Sequence, residues 1–258
     1  MVKFSLCLAF VFVAFQFANG QDDNRETVTQ SIQWMAVTSH VKFSKHLSIL
    51  VDGQFRQAGQ LEPMQYQIRT GVDIKINDHF SFVPMGYVYT WNFQYGKQPA
   101  TYVNNEHRIW QQFMYKHHAG IVYFEHRARL EQRFLQHHSA NTSGDVVDNG
   151  YSVLQHRLRY RLQARIPLNN KTIDPKTYYA IVYDEIFKSW GENVTYDYPD
   201  QNRLFAGVGY QFEKNFSMHM GAIYQMVIKR NGAQQENNIG ALLQLTYNID
   251  LTKQQSQN

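Results

Sequence analysis

Cysteine is almost missing. The chain of 258 residues has one, Cys7, and it lies in an apolar N-terminal run. A chain cut beyond that run has no disulfide, no thiol nucleophile and no thiolate metal ligand. Long apolar runs are also lacking: past the N-terminus none approaches the roughly 18 residues that mark a transmembrane helix. The mean hydropathy is negative, so a helical membrane protein is excluded. Charged residues are sparse at 18%, against roughly 25% in ordinary soluble domains. Aromatic residues are plentiful at 15%, which excludes intrinsic disorder, because disordered chains are strongly charged and poor in aromatics. There is no glycine-rich phosphate loop ahead of a helix, no His-Glu-x-x-His helix and no nucleic-acid module.

The N-terminus reads as an export signal. Lys3 supplies the positive start, Phe4 to Phe17 is apolar apart from Ser5 and Gln16, and Ala18-Asn19-Gly20 is a small-x-small cleavage site. Residues 1–20 are therefore expected to be removed, leaving 21–258 as one domain. A run of about 14 apolar residues is too short to span a bilayer.

What fills the remainder is alternation. Tyr66, Ile68, Thr70, Val72, Ile74 and Ile76 share one face, while Gln65, Gln67, Arg69, Asp73 and Lys75 share the other. The same pattern sets Leu154, Leu158, Tyr160 and Leu162 against Arg157, Arg159, Arg161 and Arg165. Helical faces repeat every 3.6 residues and cannot produce it. Eleven such segments are marked, near 28–40, 47–58, 64–76, 81–95, 105–117, 120–136, 152–166, 177–190, 202–212, 216–228 and 238–251. Most exceed the roughly 5–6 residues of soluble strands and reach the ~9–11 that a tilted membrane strand needs. Tight connections alternate with long polar ones, except for 167–176, which is long on the short-turn side. The expectation is an all-β fold, an antiparallel transmembrane β-barrel. Even strand numbers are the rule for single-chain bacterial barrels, so twelve strands are favoured, one of them unmarked near the N-terminus, with ten as the alternative. Tyr87, Tyr89, Trp91, Phe93 and Tyr95 share a face and suit an aromatic girdle.

Certain short motifs carry a family resemblance. They are Arg127-Ala128-Arg129-Leu130-Glu131-Gln132-Arg133-Phe134, Arg157-Leu158-Arg159-Tyr160-Arg161, Tyr183-Asp184-Glu185-Ile186-Phe187, Gln201-Asn202-Arg203 and Gly207-Val208-Gly209-Tyr210. In this order and spacing, over about residues 30–251, the chain resembles the domain of unknown function 2490 family of bacterial outer-membrane β-barrels. The resemblance implies that fold and the bacterial outer membrane as location. It implies no activity and no catalytic residue.

If the apolar face meets lipid, the other face is the lumen, and basic residues outnumber acidic ones there about two to one, with one of Asp184 and Glu185 inside. The densest patch is Arg127, Arg129, Arg133, Arg157, Arg159, Arg161 and Arg165, with only Glu125 and Glu131 between them. Guanidinium suits carboxylate and phosphate, so this patch is the candidate anion-binding site. Three roles follow: a porin-like small channel or binding barrel favouring anions; a barrel sealed by internal ion pairs that serves structure or surface contacts; or a lipid esterase or deacylase. The last rests on His137-His138-Ser139, where His137 would take the proton of Ser139. Adjacent histidines on a strand face opposite ways, so His117-His118 and His137-His138 cannot each hold one metal. Neither metal nor cofactor is expected. The expected partners are outer-membrane lipid and small anionic solutes. No nucleic-acid partner is expected, and the sequence points to no protein partner.

Overall fold

The computed structural model describes residues 25–96, 102–195, 199–229 and 232–253. The export signal at 1–20 lies outside them. Alternation becomes strand in every marked segment. The chain order is β1 Glu26–Lys42, β2 Leu47–Ala58, β3 Glu62–Lys75, β4 Phe80–Asn92, β5 Glu106–Ala119 and β6 Val122–Leu135. A small hairpin of β7 His138–Ala140 and β8 Val146–Asp148 follows. Then come β9 Val153–Pro167, β10 Thr177–Gly191, β11 Gln201–Glu213, β12 Phe216–Ile228, β13 Gln234–Tyr247 and β14 Ile249–Asp250.

Among the described residues the main sheet has twelve strands, and all neighbours are antiparallel except β1, which runs parallel to both β13 and β14. Eleven long strands form the wall. β1 meets β13 in parallel, from Glu26 opposite Gln234 to Thr38 opposite Thr246, and closes the barrel. Parallel closure is the geometric result of an odd number of alternating strands, since the first and last then run the same way. The twelfth strand is β14, not an N-terminal one. It continues β13 after a break at Asn248 and pairs with the foot of β1. The break is held by Asn248, whose side-chain oxygen accepts from the His40 backbone N–H at 3.1 Å.

The outer surface is apolar. Met35, Val37, Phe55, Ile68, Val72, Val182, Ile186, Val208 and Ile239 all stand exposed on it. Aromatic rings band it near each end. Tyr89 and Trp91 with His107 lie toward the long loops. Phe80, Tyr115, His117 and His126 stack toward the short turns. Tyr95 departs from the expected girdle: β4 ends at Asn92, and Tyr95 turns into the loop-end mouth, where its hydroxyl donates to Glu236 at 3.0 Å. The long connection after β9 sends Ile173 into the other mouth, against the same apolar cluster that Tyr95 joins.

The interior is filled rather than open. Trp110 is fully buried beside Leu50, Val83 and Val88. Its indole packs against Gly71 of β3 and Gly86 of β4; a Cβ at Gly86 would lie 2.1 Å from the ring. The strand register slips beside it, between Val83 and Gly86, which places Pro84 at a bulge where its missing N–H is tolerated. Gly86→Ala should displace Trp110 and lower unfolding free energy by about 1–3 kcal/mol, the usual cost of overpacking a core. Urea unfolding followed by tryptophan fluorescence measures this, and an unchanged midpoint would show that the ring is not held there.

Candidate functional site

β6 and β9 are direct neighbours, and their register makes a local problem. Arg127 lies opposite Arg161 and Arg129 opposite Arg159, and like charges directly opposed destabilise a sheet. The solution comes from carboxylates on β6 itself and on the strands that flank the pair, β5 and β10. Glu185 of β10 accepts from Arg127 at 2.7 Å, Arg159 at 2.8 Å and Arg203 at 2.9 Å. Glu131 accepts from Arg157 at 2.5 Å and Arg159 at 2.7 Å. Glu106 of β5 binds Arg108 and, at 2.8 Å, Arg133. Glu125 holds Arg161 at 2.7 Å, and Asp52 holds Arg69 at 3.2 Å. Glu131, Glu185 and Glu106 are each about 1% exposed or less. The parity question at Asp184-Glu185 is thereby answered. Glu185 faces the lumen, while Asp184 faces outward and accepts from Asn202 at 2.7 Å.

Within this network, among the described residues, Arg129 and Arg56 have no carboxylate within 3.5 Å. Arg129 donates twice to Gln112, at 2.6 and 3.0 Å, and lies 4.3 Å over Trp110. Arg56 donates to Gln65 and Gln54 at 2.5 and 2.7 Å and lies 4.2 Å over Trp34. Arg203 shares that indole at 4.6 Å, and Arg159 lies 4.7 Å over Phe187. Aromatic faces and amide oxygens thus carry the charge that carboxylates do not.

Six of the seven arginines singled out from the sequence enter this network. The seventh, Arg165, stands nearer the turns in the wall of a basic vestibule. That vestibule measures about 1010 Å³ and is also walled by Lys42, Lys75, Lys116 and Arg161. A second, of about 540 Å³, opens at the loop end beside Arg133, Arg157 and Lys229. Sequence parity missed Lys42 and the Lys229–Glu236 pair at 2.5 Å. It also passed over Trp34, Trp110 and Phe187, although Trp110 shares a face with Arg108 and Gln112 and so carried the signal.

The His-x-Ser segment lies in the β7–β8 hairpin of a long loop. The Ser139 hydroxyl accepts from the Asn149 side chain at 2.9 Å. His138, not His137, is the histidine with a side-chain bond there, to Asn104 at 2.8 Å. His137 bonds Gly150 and Asn149 through its backbone. The backbone N–H of Gly150 and the Gln136 amide hold the Asp148 carboxyl below its ordinary value. Among the described residues no hydrogen bond joins His137 to Ser139, and no group of three His, Cys, Asp or Glu is placed to hold a metal.

Residues 32–237 match the family model described as protein of unknown function, DUF2490. Among solved structures, a NanC porin in a rhombohedral crystal form is similar at 10% identity with a TM-score of 0.46, over 82% of this chain and 90% of that one. No curated protein matches the chain.

Glu131→Gln should cost about 3–5 kcal/mol, because removing one partner leaves buried charge without compensation. Equilibrium unfolding measures the loss. A loss no larger than that of exposed Glu62→Gln would mean that Glu131 does not hold the network.

Proposed function

The chain belongs to the DUF2490 family, and on that premise we propose that it is a non-enzymatic barrel of the bacterial outer membrane whose lumen takes up small anions. The membrane reading is supported by strands of 12 to 17 residues, an apolar exterior and aromatic bands at both ends, the pattern of outer-membrane barrels. One observation carries the anion reading. Arginine exceeds carboxylate throughout the buried lumen, and a basic, water-accessible vestibule opens at each end of it. A solute entering either mouth meets fixed positive charge in a confined, poorly screened space, where its effect is larger than in bulk water.

The interior is too full for a wide pore. Barrels of about eight strands fill with side chains, whereas 16–18 leave a channel. Conduction is therefore expected to be small and set by the arginines. In planar bilayers under a salt gradient, the inserted protein should give low, anion-selective current steps. Replacing Arg129, Arg159 and Arg161 together by glutamine should move the reversal potential toward zero. Cation-selective steps, or selectivity untouched by the triple change, would contradict the proposal. A folded and inserted barrel that never conducts would instead favour the sealed reading, which the buried bridges of Glu131 and Glu185 support.

A further inference from the structure

Between the two vestibules, on the Trp34 side of the lumen, lies a chamber of about 120 Å³. Six arginines line it: Arg56, Arg69, Arg127, Arg159, Arg161 and Arg203. Among the described residues two carboxylates do so, Asp52 and Glu185. In five of the six guanidinium groups the Nε–H is buried and has no hydrogen-bond partner; Arg159 is the exception. Arg159 alone has its Nε satisfied, by Glu185 at 3.1 Å. A buried donor of a charged group left unpaired is costly, and more so when several like charges share the space.

We infer that this chamber is a binding site for one small oxyanion of the phosphate or sulfate class. The inference rests on the anion-favouring reading of the lumen and adds to it a specific place and ligand chemistry. A tetrahedral oxyanion offers several acceptor oxygens to guanidinium forks that approach from different strands, which a single halide cannot do. The six arginines come from β2, β3, β6, β9 and β11. An ion here neutralises part of the excess and ties together strands far apart in the chain. Arg56, Arg159 and Arg203 also border the loop-end vestibule, and Arg69, Arg127 and Arg161 border the turn-end one, so the ion can be reached from either mouth.

Two variants probe the chamber without orphaning a carboxylate. Arg56→Gln removes a charge that no carboxylate among the described residues pairs with. Ala36→Leu fills the chamber from β1 and changes no charge. Arg165→Gln alters only the turn-end vestibule. Each full-length protein, shown folded by its β-sheet circular dichroism, is dialysed in non-ionic detergent against radiolabelled inorganic phosphate at fixed ionic strength. The natural chain should bind one phosphate per barrel. Both chamber variants should weaken it by about tenfold or more, the value of one charge-assisted hydrogen bond. Arg165→Gln should leave it nearly unchanged. Binding lost in Arg165→Gln but kept in both chamber variants would overturn the site and place the ion in the vestibule. Absence of phosphate binding in the natural chain would also overturn it; anion-selective current in the same preparation would then leave the broader lumen reading standing.

Discussion

Everything inside this barrel depends on how buried guanidinium charge is balanced. Ten arginines, Arg56, Arg69, Arg108, Arg127, Arg129, Arg133, Arg157, Arg159, Arg161 and Arg203, project into an interior where five carboxylates answer them. Burying such charge is expensive unless each group finds partners. The protein meets the cost in three ways. Glu106, Glu131 and Glu185 are each shared between two or more arginines, glutamine oxygens accept from those left over, and indole and phenyl faces cover the guanidinium planes. Lysine could not replace arginine here, because its ammonium is strongly hydrated and lacks both the fork and the flat face.

The scaffold makes this arrangement possible by simple periodicity. Alternate residues of each strand point inward, so Arg157, Arg159 and Arg161 form a ladder without any loop to place them. The ladder is unfavourable by itself, since β6 sets two more arginines directly opposite. β10 lies beside β9 in the sheet, so Glu185 meets the same arginines as Glu131, and the like-charged pair becomes the centre of a bridge between β6, β9, β10 and β11. Pairing of these neighbouring strands and assembly of the charge network are therefore one event. The glycines at Gly71 and Gly86 serve the same end: they make room for Trp110, the floor on which Arg129 rests.

Much of this was legible in the sequence, because strand parity is a strict rule. All eleven segments are strands, and the basic face is the lumen. Parity also failed in understandable places. On β10 the inward residues include Tyr179, Ile181 and Tyr183, as apolar as the outward ones, so alternation of polarity could not say which face was inside. Tyr95 falls past the end of β4, where strand parity ceases to apply. The strand count rested on evenness, a habit of bacterial barrels rather than a physical requirement, and parallel closure of β1 on β13 removes the need for it. The partners of each arginine were not legible, since Glu185 and Arg127 lie 58 residues apart and meet only once β6, β9 and β10 line up in the sheet.

The most direct measurement is the unfolding midpoint of the folded barrel in detergent, taken first across sodium salts of different anions and then across chlorides of different cations at matched ionic strength. An interior short of negative charge predicts stability that rises with phosphate or sulfate over chloride and ignores the cation. Midpoints that ignore the anion, or that follow a divalent cation instead, would contradict the account.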